Sequence, residues 1–331
     1  MKLSDLLNQK KCFKLICGAG NEDYKMIERL VAVYAKAGVH YFDLSPNKES
    51  VLAAKKGIER VVPKNKRKEY FYCVSVGVNG DPHAMKARIN LEKCRACGAC
   101  SVVCLQNAIQ NAVDSKGIKK YLVIDSKCIG CNACAKVCKF GAIDFQYKER
   151  NLRKILPPLI DLGVSSIELH AITEDDDESY SIWRTMNKAF PGILSVCLDR
   201  SHLSDKQLIN RIKLFIKDRK DFTTIVQADG SPMSGSNDNN NTTLQTIATA
   251  DIVQKARLPV WVLMSGGTNS KTSKLAKLFE VQANGVSLGS FARKIIKEEL
   301  NNEDFFENKT IFNSAYKKAK ELVNETLKYL V

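Results

Sequence analysis

No stretch of this 331-residue sequence approaches eighteen consecutive apolar residues, which excludes a membrane-spanning helix of ordinary length. The opening MKLSDLLNQKKCFK has neither an apolar leader segment nor a small-residue cleavage site, so the expected compartment is cytoplasmic. Also missing are any run of five basic residues and any RNA-recognition sequence, although 51 Lys and Arg against 36 Asp and Glu give a formal charge of +15. Nucleic-acid binding rests on basic patches rather than totals, so it is not expected here.

Cysteine, by contrast, is plentiful. Twelve cysteines in a reducing compartment point to metal rather than to disulfides. Residues 94–109 read CRACGACSVVCLQNAI and residues 128–143 read CIGCNACAKVCKFGAI, and at an offset of 34 all four cysteines of one run fall on those of the other. The unit is C-x2-C-x2-C-x3-C, which predicts two [4Fe-4S] clusters. In such duplications three thiolates of a run converge on one cluster and the fourth reaches the other. One cluster is therefore expected on Cys94, Cys97, Cys100 and Cys138, and the second on Cys128, Cys131, Cys134 and Cys104. Zinc is the alternative for paired cysteines, but zinc sites separate their pairs by longer loops. The proline that usually follows the fourth cysteine is absent from both runs, where Leu105 and Lys139 stand instead. That loss removes no ligand. Residues 84–147 also hold ten Lys or Arg against four Asp or Glu, an excess that opposes the roughly −2 of a thiolate-held four-iron cluster.

Outside this segment, β-rich runs alternate with amphipathic helical ones. Strands are expected at 12–20, 40–45, 70–78, 166–172, 193–199, 223–229, 259–267 and 285–290. Eight such units predict a (β/α)8 TIM-type barrel interrupted after its third strand by a ferredoxin-like α+β domain. The expected divisions are 1–83 for the first part of the barrel, 84–147 for the insert and 148–331 for the rest. An open doubly wound sheet is the competing architecture. Strand ends carry function in barrels, and the clusters are expected over that mouth. The exits MSGGTNSKT and GVSLGSFAR make Gly266, Gly267, Gly289 and Ser290 a candidate phosphate cradle, flavin mononucleotide (FMN) included.

Asp43, Asn79, His170, Asp199, Arg200, Asp229 and Ser265 fall at strand ends. Glu168 and His170 share one face of a strand, yet no third group is tied to them by spacing, so a structural role is expected. The acidic TEDDDE (173–178) reads as a helix start, and the front of the loop QADGSPMSGSNDNNNTT (227–243) as a lid or contact surface. Cys12, Cys17, Cys73 and Cys197 lie in apolar runs and are expected to pack as small hydrophobes.

Taken together, FKLICGAG, QADGSPMSG, MSGGTN and the duplicated cysteine motif resemble the cyanobacterial light-dependent period (LdpA) family through nearly the whole chain. The resemblance implies an iron–sulfur redox protein on the input side of the circadian clock, with clock-associated proteins as partners. It transfers the eight cysteines but no catalytic residue. Two readings follow: a redox-sensing regulator rather than an enzyme, or a flavin-dependent oxidoreductase whose clusters feed electrons to a flavin on the barrel.

Overall fold

Each of the eight β-rich runs becomes a strand, and their side chains alternate between two buried faces. The computed structural model describes residues 1–18, 20, 22–79, 81, 85–113, 117, 119–147, 151–173, 175–201, 203–230 and 240–330. The eight strands are β1 (Cys12–Ile16), β2 (Tyr41–Leu44), β3 (Phe71–Gly77), β8 (Ser166–His170), β9 (Ile193–Leu198), β10 (Thr224–Asp229), β11 (Trp261–Ser265) and β12 (Gly285–Leu288). All neighbours are parallel, and the sheet closes in the order β1-β12-β11-β10-β9-β8-β3-β2. This is the expected (β/α)8 barrel, not an open sheet.

Between β3 and β8 the chain makes two small antiparallel sheets. Strand β4 (Met85–Ile89) pairs with β7 (Ile143–Tyr147), and β5 (Ile109–Val113) pairs with β6 (Lys119–Val123). Residues 80, 82–84 and 148–150, where the chain enters and leaves this segment, lie outside the described residues.

Helices begin where short polar side chains satisfy the first free amides. Asp23 accepts from Met26 N at 3.1 Å, Asn47 from Ser50 N at 2.8 Å, and Asp175 from Glu178 N at 2.8 Å. The acidic stretch after β8 is thus a helix start as expected, and Asp176 also accepts from buried Arg211 Nε at 2.5 Å. Outward strand residues such as Leu15, Phe42, Val74, Leu169, Val196, Val226 and Val286 pack under these helices in one continuous core. The inward face is layered differently. Its floor is apolar: Cys12, Tyr41, Phe71, Ile225, Trp261 and Leu263 meet Leu3, Leu6 and Leu7 of the short helix Leu3–Asn8. Sequence patterning does not foretell that helix, because six residues are too few to be stable without the floor they cover.

Candidate functional site

The duplication in the sequence is a duplication of backbone shape. In each cysteine loop the residues two and four places after the first cysteine are left-handed: Ala96 (φ 51°) and Gly98 (φ 84°) in one, Gly130 (φ 69°) and Asn132 (φ 62°) in the other. Asn107 and Gly141 repeat the match three places after each fourth cysteine, at φ 50° and 57°. These turns aim amides at sulfur. Ala108 N donates to Cys104 Sγ at 3.3 Å and Ala142 N to Cys138 Sγ at 3.4 Å, again 34 residues apart, while Ala96 N donates to Cys94 Sγ and Ala87 N to Cys128 Sγ, both at 3.4 Å. Amide donors of this kind stabilise the negative charge of bound thiolates. For Cys104 and Cys138 the donor is the residue four places on, not Leu105 or Lys139 where the prolines are missing.

A small cavity is lined by Cys94, Cys97, Cys100 and Cys138 together, closed by Ile89, Tyr121 and Phe140. The structure thus brings the fourth cysteine of one run to the first three of the other. In the second run Cys128 and Cys134 are buried in the same small core that Cys104 packs against. Burial raises the Cys134 thiol to about 11, helped by neighbouring Cys131 and Cys128, and Cys100 is raised likewise by burial, with Cys94 and Cys97 adding to it. Crowded thiols of this kind ionise when a cation takes their charge. A zinc ion would need its sulfurs about 3.8 Å apart, given Zn–S bonds of about 2.3 Å. Among the described residues, the ligand-type side chains gathered within 4.8 Å of one another are Asp43, Cys73 and Glu168, with no trio from the insert. The cysteine arrangement fits a larger iron–sulfur core better than a single ion.

The insert is joined to the barrel beside its second cysteine loop. Lys86 on β4 is buried, and its Nζ donates to Cys128 O at 2.6 Å, Gly20 O at 2.7 Å and Asp125 O at 2.8 Å. Gly20 belongs to the exit of β1. Glu22 N donates to Ser126 O at 2.8 Å, and Tyr147 OH to Gly77 O at the end of β3 at 3.2 Å. The cysteine loop thus rests on the mouth.

Beneath the mouth, the barrel interior holds a charged network that sequence reading missed in part. Lys14, wholly buried at the middle of β1, places Nζ 2.9 Å from Asp43 Oδ2 and 2.7 Å from Glu168 Oε2. Register sets Glu168 opposite Ser75 on β3 and Ser195 on β9. Ser195 Oγ donates to Glu168 Oε2 at 2.7 Å, Gln227 Nε2 to Oε1 at 2.5 Å, and His170 Nε2 to Oε1 at 3.0 Å. Ser75 Oγ donates to Asp43 Oδ1 at 2.5 Å, and Ser287 Oγ to Gln227 Oε1. Burial pushes Glu168 up, but Lys14 and His170 outweigh it and hold this carboxyl well below the usual range. Asp43 is raised, because burial there exceeds the pull of Lys14. Lys14 itself is pulled down by burial, yet Asp43, Cys73 and Glu168 more than restore it, so it stays charged. The ammonium lies against two of these three side chains, Asp43 and Glu168, and supplies the positive charge they need. The signal in the sequence was a lysine alternating with apolar residues in CFKLI, at the inward parity of a strand buried on both faces.

At the mouth, His170 has Asp81 Oδ2 3.6 Å from its Nδ1. Burial lowers its pKa, but the Glu168 hydrogen bond and the Asp81 charge raise it overall to about 9. A cavity of about 80 Å³ lies above it, reached by Asp229, Ser265, Gly266, Gly267, Gly289, Ser290 and Arg293. All four residues of the expected cradle therefore meet at one place. Ile129, from the loop between Cys128 and Cys131, also lines it. Gly266 has a further requirement: at φ +63°, a Cβ there would stand 1.3 Å from Asp229 Oδ1. The enclosed space of about 80 Å³ is small beside the roughly 300–1,000 Å³ of pockets that bury a drug-sized molecule. Asn79 and Arg200 are exposed away from it, and Asp199 accepts from Ser201 Oγ at 2.6 Å. Residues 231–239, which hold most of the expected lid, lie outside the described residues.

The four cysteines of the strands are buried, but not all as hydrophobes. Cys12 lies in the apolar floor and Cys17 in the outer core. Cys73 faces the Lys14 network, and Cys197 Sγ donates to Asp229 Oδ2 at 3.0 Å. Burial and Asp229 raise the Cys197 thiol well above its usual value, so it is not an activated nucleophile.

Residues 159–328 match the family model of the Light dependent period A C-terminal domain, which spans half of the chain, and residues 93–142 match that of a 4Fe-4S dicluster domain. Over 300 residues the chain is 26% identical to Light dependent period A of Synechococcus elongatus, covering 87% of this chain and 82% of that protein. Among solved structures it is similar to the YdjI aldolase from Escherichia coli K12, at a TM-score of 0.49 and 9% identity over 100% of this chain and 96% of that one. It is also similar to an archaeal fructose 1,6-bisphosphate aldolase, at 0.41 and 13% over 99% and 100%. The cysteine module and both family matches converge: this chain is an iron–sulfur protein and belongs to the Light dependent period A family.

Proposed function

We propose that the protein is a redox-responsive regulator, in which two four-iron clusters form the sensing element and the barrel mouth the responding one. The clusters rest on Cys94, Cys97, Cys100 and Cys138, and on Cys128, Cys131, Cys134 and Cys104. When bound, each supplies one-electron chemistry. In keeping with the family name, its output adjusts the period of a circadian clock to photosynthetic redox state, through clock-associated proteins in the cytoplasm. No described helix is long and apolar enough to cross a membrane.

The observation that carries this reading is the Lys86 anchor, which ties the carbonyl of Cys128 and that of Gly20 to one buried ammonium. A change of charge on the Cys128 loop reaches the exit of β1 through that group, alongside the Glu22 N to Ser126 O hydrogen bond. Biasing a nearby loop between two arrangements is the minimum a switch requires.

The test is anaerobic purification with iron and flavin analysis, followed by hydrogen exchange of the oxidised and dithionite-reduced protein. Near eight irons per chain, no flavin, and altered exchange at residues 17–22 and 126–131 are expected. Stoichiometric flavin that bleaches together with the clusters would overturn this reading and support a flavin-dependent oxidoreductase. Identical exchange in the two redox states would remove the barrel as responder.

A further inference from the structure

The mouth cavity contains a cation whose hydrogen-bonding capacity is not used up. Arg293, in the helix Ser290–Lys294 after β12, lines the cavity and donates through Nη2 to Cys17 O at 2.7 Å. Its Nε is buried and donates to nothing among the described residues. The carboxylate that acts on it is Asp23, which is already engaged as the cap of the helix Tyr24–Ala37. Burial alone would favour loss of the charge, as its lowered pKa reflects. A guanidinium, however, stays protonated in proteins. A half-buried guanidinium whose Nε is buried without an acceptor is costly unless an anion completes it.

The surroundings define the anion. Gly18, Gly20 and Gly289 border the cavity on the β1 and β12 side, where Arg293 enters, and carry no side chain to fill it. His170 lines the cavity from below, its ring paired with Glu168 and Asp81, so Arg293 is the cation that faces the space. Asp229 also lines the cavity from β10, with Oδ1 against Gly266 and Oδ2 accepting from the Cys197 thiol, so its negative charge leaves the Arg293 side as the place for an anion. About 80 Å³ is room enough for a phosphate or a short carboxylate group. The roof is Ile129 of the second cysteine loop.

We infer that the barrel mouth is a binding site for a small oxyanion, a phosphate or carboxylate group, held by Arg293 against the β1 and β12 exits beneath the insert. This site uses none of the eight cluster cysteines, so it stands or falls separately from the redox role proposed above. It places a ligand directly under the loop that carries Cys128 and Cys131.

The experiment is a titration of the iron-loaded protein at pH 7 with inorganic phosphate, and separately with acetate, followed by calorimetry and, for phosphate, by ³¹P line width. Wild-type protein is expected to saturate with at least one of them at millimolar concentration or below. Arg293→Gln is expected to weaken that binding at least about tenfold, the worth of one charge-assisted hydrogen bond. Arg293→Lys, which keeps the charge but not the fork, should fall between. Iron content and melting temperature report whether each variant is folded, and Arg293→Lys keeps the test available if Arg293→Gln is not. Which of phosphate and acetate binds assigns the group. Binding of neither, or undiminished binding in folded Arg293 variants, overturns the inference.

Discussion

Lys14 Nζ and Glu168 Oε2 lie 2.7 Å apart at the centre of the barrel, and neither side chain has any exposure. Barrels of this kind usually fill their interior with layers of branched apolar residues. Here only the floor is apolar, and the layer above it is built from a lysine, two acids, three serines and a glutamine. Such a network is costly to desolvate and stable only while every partner is present.

Removing the cation should therefore unfold the protein rather than relax it. Lys14→Met leaves Glu168 and Asp43 buried without their counter-charge, and a loss of about 3–5 kcal/mol is expected. Urea denaturation of the iron-loaded protein measures it. A loss below about 1 kcal/mol would mean that the carboxyls simply take up protons and that the ion pair is dispensable.

His170 should give the barrel a pH-dependent stability. Its pKa of about 9 in the folded chain stands above the ordinary 6.5. The stabilisation is then complete below pH 6.5 and fades as pH rises through 9, by up to roughly 3 kcal/mol. Melting temperatures across pH 6–10 should fall in that window for wild type and lose this component in His170→Gln. Equal pH slopes in both proteins would show that His170 is neutral in the barrel.

The crossing of ligands predicts which cluster each mutation harms. Cys104→Ala should damage the cluster on Cys128, Cys131 and Cys134, and Cys138→Ala the one on Cys94, Cys97 and Cys100. Electron paramagnetic resonance of the reduced variants separates the two signals. If each change disturbs the cluster nearest in sequence, the assignment is wrong.

Lys86 should set the potential of the cluster next to it. Its ammonium lies 2.6 Å from Cys128 O and stabilises the added electron. Lys86→Gln is expected to lower that cluster's reduction potential on the order of 50–100 mV, the effect of a unit charge several ångströms away at an effective dielectric of about 20. The other cluster should be little affected. A redox titration with unchanged potentials would remove Lys86 from the coupling.

Much of this was legible along the chain. Metal ligation depends on spacing within a few residues, so the eight cysteines declared their chemistry, and their repeat at 34 residues was matched by the left-handed turns at Ala96, Gly98, Gly130 and Asn132. Strand positions followed from runs of β-branched and aromatic residues, and Gly266, Gly267, Gly289 and Ser290, read as strand exits, line one cavity at the mouth. What the sequence by itself determined, then, was local: which segments become strands and helices, and which residue types could hold iron. Only the closed sheet decided the rest. Lys14 and Glu168 are 154 residues apart, and their meeting depends on strand order and register around the whole barrel. Lys86 looked like one basic residue among ten in its segment, until folding buried it between the Cys128 loop and the exit of β1. Side-chain alternation tells which face a residue takes, but not what it meets there, because the meeting is fixed by chain closure over distances that no local pattern records.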